Sequence, residues 1–154
     1  MSAGQSQSSR DKFRFDTSNI KWKDFITEGC YYRILNVDPA LQTAEMLLKF
    51  DPGCLCVFHR HIAPTTSLVL EGSLYVKEQT ASGMVETIRP AGTFTVGAEN
   101  EVHIEGAGDD GVVAYFSMRG KDDHIYDLLN PDLSLRRVVT LQDFARDWEY
   151  WGKA

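Results

Sequence analysis

The 154-residue sequence is poor in cysteine and histidine, with 3 and 4 residues respectively. An odd number of cysteines without any C-x-x-C spacing argues against a disulfide-stapled chain and fits a reducing compartment. We interpret Cys54 and Cys56 as small buried hydrophobes rather than metal ligands. With so few histidines, any close pair of them is informative.

The sequence also lacks a basic excess and a long apolar run. Its 16 Lys and Arg against 22 Asp and Glu give a net charge of -6, which argues against nucleic acid as a partner. No apolar run approaches the ~20 residues of a membrane span, and the N-terminal residues carry no hydrophobic signal segment. We therefore expect a cytoplasmic protein with neither a nucleic-acid nor a membrane partner.

No linker-like stretch divides the chain, and its length suits one compact domain. The segment 1–11 is rich in Ser, Gln and Gly, so it is predicted to be a disordered tail. A single domain is predicted over residues 12–154.

Short apolar segments separated by turn residues predict an antiparallel, all-β jelly roll. The predicted strands are Tyr31–Val37, Thr43–Phe50, Ser67–Leu70, Leu74–Glu78, Val85–Ile88, Gly111–Met118 and Leu135–Val139, with a further strand around His103. The turns predicted between them are Asp38-Pro39, Glu71-Gly72, Ser82-Gly83, Arg89-Pro90 and Asp109-Asp110-Gly111. A helix is expected to end the chain, with Thr140 as N-cap and an apolar stripe of helical spacing that includes Phe144, Trp148 and Trp151. Tyr75, Phe94, Phe116 and Met118 are interpreted as core residues.

His59 and His61 are the most informative pair in the chain. Leu55, Val57, His59 and His61 share one parity of a predicted strand, so the two imidazoles point to one face. Two adjacent imidazoles on a strand are typical of half a metal site. The chain offers His103 as a third ligand.

The spacing of these residues resembles the two signature motifs of the cupins, G-x5-H-x-H-x3-E-x6-G and G-x5-P-x-G-x2-H-x3-N. The positions that match are Gly53, His59, His61 and Gly72 in the first motif, and Gly92 and His103 in the second. The positions that depart are Thr65 for the motif glutamate, Ala98 and Asn100 for the proline and glycine, and Ala107 for the final asparagine. The resemblance covers roughly residues 44 to 118. It implies a single-domain cupin jelly-roll β-barrel with a C-terminal helix.

What remains of the motif ligands is a three-histidine set, which resembles the acetylacetone-cleaving (β-diketone) and dihydroxyacetophenone dioxygenases. That resemblance implies Fe(II) held by His59, His61 and His103, a small ketone substrate, and O2 used to break a carbon-carbon bond. Three neutral imidazoles would leave the full +2 on the ion and favour an anionic chelating substrate. Zn(2+) and Ni(2+) are further possible cofactors, because imidazole suits them as well.

Glu101 and Glu105 share the strand parity of His103, and metal-ligating histidines usually donate their other N–H to a carboxylate or carbonyl. Glu101 is therefore the candidate for orienting the site or accepting a substrate proton. Thr65 is the candidate for holding a metal-bound water. His124 is interpreted as a structural or surface histidine.

Two further functions stay open at this point: a zinc-binding sensor, similar to the cupin parts of some anti-sigma factors, and an isomerase-type cupin. The aromatic C-terminal stripe either packs on its own barrel or forms a subunit contact. A homodimer or homotetramer is expected, because cupins that this chain resembles commonly form them.

Overall fold

The structure, a computed structural model, describes residues 17–152, and the predicted tail at 1–11 lies outside them. The predicted boundary between residues 11 and 12 therefore stays a prediction. Ten strands and one short α-helix account for most of the described chain. The strands are β1 (Lys23–Asp24), β2 (Cys30–Asp38), β3 (Thr43–Phe50), β4 (His59–His61), β5 (Thr66–Thr80), β6 (Gly83–Pro90), β7 (Phe94–Val96), β8 (Val102–Arg119), β9 (His124–Leu129) and β10 (Leu135–Thr140).

All strand pairs are antiparallel and form one strongly curled sheet, in the order β1-β2-β3-β8-β4-β9-β10. The long strands β5 and β8 run side by side along almost their whole lengths, and β6 and β7 pair with the other edge of β5. The residues that point inward form one apolar core. The curled sheet therefore encloses an interior into which alternate residues of each strand project.

β5 and β8 each replace a pair of shorter predicted elements. The turns predicted at Glu71-Gly72 and Asp109-Asp110-Gly111 are instead bends within continuous strands, with register shifts in β5 on both sides of Gly72. Gly72 and Gly111 have φ of +68° and +71°, and a Cβ on Gly72 would lie 2.0 Å from the Gly111 carbonyl oxygen. Glycine thus bends both strands at one point without ending either of them.

The C-terminal helix α1 (Leu141–Asp147) begins at the predicted N-cap. The Thr140 side chain accepts a hydrogen bond from the Asp143 backbone N–H, and the Asp143 carboxylate accepts one from the Thr140 N–H. Phe144 is buried, and Trp148, which follows the helix, packs against the core. The described part of the aromatic stripe therefore packs on its own barrel, and the expected homo-oligomer stays a prediction.

The structure corrects two predicted core residues, Tyr75 and Phe94. Tyr75 is only partly buried, on the face of β5 opposite to the buried Leu74, and it lies outside the apolar core. Phe94 is 64% exposed on β7, whereas Phe116 and Met118 are buried as expected. Phe94 lies on the outer face of β7, together with Val96. No helix within residues 17–152 has the length and apolarity needed to cross a membrane.

Candidate metal centre

Strand pairing brings the three predicted ligands together. β4 lies between β8 and β9, and its register places His59 directly opposite His103. His61, two residues after His59, shares its face of the strand. The ring centroid of His59 lies 4.7 Å from that of His61 and 4.5 Å from that of His103.

The strand that carries the histidine pair is shorter than expected. The alternation of side chains in the sequence predicted a strand over residues 54 to 61. Regular pairing covers only His59–His61, and residue Leu55 forms a single bridge to Gly106. A Cβ on Gly106 would lie 2.3 Å from the Cys54 carbonyl oxygen, so a glycine is needed for this close approach. The segment before β4 thus lies directly against β8.

Glu105 joins the three histidines as a fourth donor. Its Oε1 lies 3.1 Å from His59 Nε2 and 3.0 Å from His103 Nε2, and those two nitrogens are 2.9 Å apart. One ligand atom from each of the four residues lies within 4.8 Å of the others. We refer to His59, His61, His103 and Glu105 as the His3Glu cluster.

The outward nitrogens of two cluster histidines are held by fixed acceptors. His59 Nδ1 lies 3.0 Å from the Val57 carbonyl oxygen, and His103 Nδ1 lies 2.9 Å from Glu101 Oε1. Glu101 is itself held, because its Oε2 accepts a hydrogen bond from the Ala98 backbone N–H. Such contacts fix the tautomer of each ring and direct its Nε2 toward the centre of the cluster.

His61 is the observation that fits a metal ion best. Both of its ring nitrogens are buried, and neither has a hydrogen-bond partner among the described residues. An imidazole without a partner in the interior is costly unless something binds it, because the lost hydration is not replaced. A divalent cation at the centre of the cluster would supply that missing partner, and three imidazoles with one carboxylate are a donor set that such ions accept.

Without a cation, the cluster is stabilised by an ion pair between a protonated His103 and the Glu105 carboxylate. Burial opposes a charge on His103, but the Glu105 carboxylate and the hydrogen bonds to Glu101 and Glu105 outweigh it and raise the pKa of His103 to about 9. Burial likewise opposes the charge of Glu105, yet the positive charge of His103 holds the pKa of Glu105 well below its usual range. Burial and the neighbouring imidazoles lower the pKa of His61, which therefore stays neutral.

An apolar chamber adjoins the cluster on the side of His59, His61 and Glu105. It is a cavity of about 20 Å³ whose remaining wall consists mainly of apolar side chains, including Phe116, Met118 and Leu128. Phe25, Tyr126 and Leu128 also line a wider cleft of about 330 Å³, which lies beneath α1. The chamber and the cleft thus share these three lining residues.

A second cavity of about 20 Å³, lined mainly by polar side chains, also touches the cluster. Thr65, Arg89 and Glu101 line it, together with His61, His103 and Glu105. Thr65 is buried, and its hydroxyl donates to the Ala63 carbonyl oxygen at 3.4 Å. The cluster therefore borders both an apolar cavity and a more polar one.

The carboxylate of the cluster is the residue that the motif comparison missed. Thr65 occupies the expected glutamate position, whereas the carboxylate comes from Glu105, two residues after His103 on β8. The shared parity of His103 and Glu105 was the available signal, by the same logic that paired His59 with His61. The metal-ligating roles of the histidines and the catalytic role of Glu101 stay predictions.

Glu99, next to the Ala98 that binds Glu101, and His124 lie outside the cluster. Glu99 is half exposed and forms an ion pair with Lys121. His124 Nε2 lies 2.6 Å from Asp127 Oδ1, which agrees with its interpretation as a structural histidine.

Comparison with known proteins extends these observations. The sequence profile of the ChrR cupin-like domain family matches residues 10–121. No curated protein sequence matches the chain.

Solved structures resemble this chain over most of its length. A candidate acetylacetone dioxygenase from Methylibium petroleiphilum PM1 has a TM-score of 0.69 and 20% identity over 89% of this chain and 96% of its own. An acetylacetone dioxygenase from Acinetobacter johnsonii has a TM-score of 0.70 and 10% identity over 97% and 99%. An RmlC-like cupin protein from Ralstonia eutropha has a TM-score of 0.70 and 14% identity over 88% and 83%. At these identities the likeness concerns the fold.

Proposed function

We propose that this chain, which belongs to the ChrR cupin-like domain family, is a metal-dependent oxidoreductase that acts on a small enolisable ketone. The cupin relationship and the single-domain jelly roll predicted from the sequence are confirmed. The activity proposed is cleavage of a carbon-carbon bond in a β-diketone or related oxygenated ketone by O2, with Fe(2+) held by the His3Glu cluster. The orphaned nitrogens of His61, beside an apolar chamber, carry this proposal.

Glu105 changes the charge expected at the centre. Three neutral imidazoles and one carboxylate leave a divalent ion with a net charge of +1, rather than the +2 predicted from histidines alone. A singly charged enolate that chelates through two oxygens would make the buried assembly neutral, which lowers the penalty of burying it. The proposed substrate is therefore a monoanionic chelator.

The protein supplies position and a dry environment. Iron, when bound, supplies Lewis acidity toward the two substrate oxygens and redox chemistry toward O2. Val57 and Glu101 fix the rings of His59 and His103, and we assign Glu101 as a positioning residue. The apolar side chains of the chamber exclude water from the reacting face. The cleft has the volume of a small-molecule site, so the substrate would reach the chamber by displacing Phe25, Tyr126 or Leu128.

The test is oxygen uptake by the purified chain after removal of its metal and anaerobic reloading with Fe(2+). Uptake is expected with acetylacetone-type substrates, and it should be lost in His59→Ala and His103→Ala. His124→Ala is the matched control, because His124 contacts Asp127 and not the cluster. Fe-loaded protein that consumes no oxygen with any such substrate would refute the activity.

The second candidate is a regulatory zinc site. Two observations favour it: the matching family is defined by the cupin-like domain of ChrR, and the cluster offers four donors, the number that a structural Zn(2+) site uses. Elemental analysis separates the two functions. Stoichiometric zinc that Fe(2+) does not replace, together with no oxygen uptake, would establish the regulatory site instead.

A further inference from the structure

The short strand that carries the histidine pair also has an outward face, and Arg60 lies on it. Arg60 stands between His59 and His61, so its side chain projects from β4 on the side away from the cluster. Two of the three residues of β4 pair with β8, whereas all three pair with β9. The neighbouring strand β9 therefore provides most of the regular pairing that supports the two imidazoles.

Asp127 is the residue of β9 directly opposite Arg60. Its Oδ2 accepts hydrogen bonds from Arg60 Nε at 3.3 Å and from Arg60 Nη2 at 3.2 Å. Its Oδ1 lies 2.6 Å from His124 Nε2. Asp127 is buried although it carries a carboxylate, so both of its oxygens need partners, and these contacts supply them.

The inward face of the same two strands carries the ligand rings. Tyr126 lies opposite His61 in the pairing of β4 with β9, and Leu128 lies opposite His59. The ring centroid of Tyr126 lies 6.0 Å from that of His59 and 5.9 Å from that of His61. A shift of β4 along β9 by one residue would turn both imidazoles outward, and a shift by two residues would displace them by about 7 Å. The cluster therefore requires one register of β4 on β9.

We propose that Arg60 and Asp127, which we call the outer pair, are positioning residues that fix the register of β4 on β9 and thereby the geometry of the metal site. After a shift in either direction the Asp127 carboxylate would lose the guanidinium, and a buried charge without its partner is costly. Selection of one register is the best-attested role of buried polar and charged groups. The inference rests on the proposed metal site but not on the proposed reaction.

The experiment measures Co(2+) binding by the metal-free parent chain, by Asp127→Asn and by Arg60→Ala. Co(2+) is the probe because its visible absorption depends on the geometry of its ligands. Each variant should bind Co(2+) about tenfold more weakly than the parent chain, the lower end of the usual loss for an indirect contact to a metal site. The shape of the absorption spectrum should also change. A fold defect alone would lower the free energy of unfolding and leave the spectrum of the folded, loaded protein unchanged.

The two members of the outer pair should act as one unit. Arg60→Ala combined with Asp127→Asn should bind Co(2+) no more weakly than the weaker of the two single variants, because either change alone already breaks the pair. A loss of about a hundredfold in the double variant would mean that the two residues act independently, and it would overturn the proposal.

Two matched controls remove contacts outside the outer pair. Glu86→Gln removes the ion pair of Glu86 with Lys77, which also joins neighbouring strands, but neither β5 nor β6 carries a donor of the cluster. His124→Ala removes the contact at Asp127 Oδ1 and leaves both Arg60 hydrogen bonds at Oδ2. Both controls should keep the parental affinity and spectrum. Parental behaviour of Asp127→Asn and Arg60→Ala would refute the outer pair, whereas a parent chain that binds no Co(2+) would refute the metal site on which the inference rests.

Discussion

At the scale of single residues, the cluster depends on a charge that three histidines alone would not provide. Glu105 accepts from the His103 imidazole and lies 3.1 Å from His59 Nε2 in the metal-free chain, and it would cancel one unit of charge on a divalent ion. Its carboxylate therefore has two roles: it pairs with an imidazole in the metal-free chain, and it would ligate the ion in the metal-loaded chain.

Glu105→Gln keeps the size of the side chain and removes its charge. We expect metal affinity to fall at least about tenfold, because a neutral amide oxygen attracts a divalent cation more weakly than a carboxylate. Glu99→Gln is the matched control, since Glu99 pairs with Lys121 at the surface. Chelator competition measures both, and equal affinities of Glu105→Gln and the parent chain would remove Glu105 from the ligand set.

Glu101 is expected to act through His103 rather than on a substrate. Glu101→Ala should weaken metal binding by about 10- to 100-fold, because the His103 ring loses the acceptor at its Nδ1. Glu101→Gln keeps an oxygen acceptor and should recover part of that loss. A positioning role requires this partial rescue in metal affinity, so an equal loss in both variants would contradict it.

The sequence located the histidines but not the whole donor set. His59, His61 and His103 follow from motif spacing, because both motifs fix the distance from a turn glycine to a ligand. Glu105 could not be assigned in the same way, because its role depends on the curvature of β8 and on the pairing of β8 with β4. Phe94 illustrates the same limit, since strand alternation identifies two faces without telling which one is buried.

At the scale of elements, two glycines allow long strands to bend without ending. Gly72 and Gly111 were expected to end strands, because glycine commonly does so. In the folded chain they allow β5 and β8 to continue through a bend. The sequence correctly indicated that the chain changes direction at these glycines. Whether the strand continues beyond the bend depends on its pairing with distant strands, which the local sequence does not show.

A comparison of two glycine substitutions tests this assignment. Gly72→Ala should lower the free energy of unfolding by at least about 3 kcal/mol, because its Cβ would clash with the Gly111 backbone at a positive φ. Gly83 also has a positive φ, but a Cβ there meets no atom within 4 Å. Gly83→Ala should lower the free energy of unfolding, measured with urea, by only about 1 kcal/mol. Similar losses at both positions would contradict the close approach at the bend.

At the scale of the whole molecule, the metal-free chain should lose stability as the pH rises. The pKa of His103 is about 9 in the folded chain, against an ordinary value of 6.5. Its contribution is thus fully present below pH 6.5 and is lost as the pH rises through 9, with an upper bound of about 3 kcal/mol. His61 acts in the opposite sense below pH 6.5, because its pKa is lowered.

Urea unfolding of the chelator-treated chain at pH 6.5 and 9 measures this effect. The decline should be absent from His103→Gln, which has no such proton to lose. Metal-loaded protein should also show less decline, because a ligating His103 has already released its proton. A flat profile in the metal-free parent chain would contradict the charged His103–Glu105 pair.

The three-residue strand β4 joins parts of the chain that lie far apart in sequence, since His59 and His103 are 44 positions apart. A cation coordinated there would act as a crosslink across β4 and β8. The crosslink can close only after these distant segments have paired, which is a slow event in folds dominated by non-local contacts. Loading should therefore be a late event in the maturation of the protein, and loss of the ion should open the barrel beginning at β4.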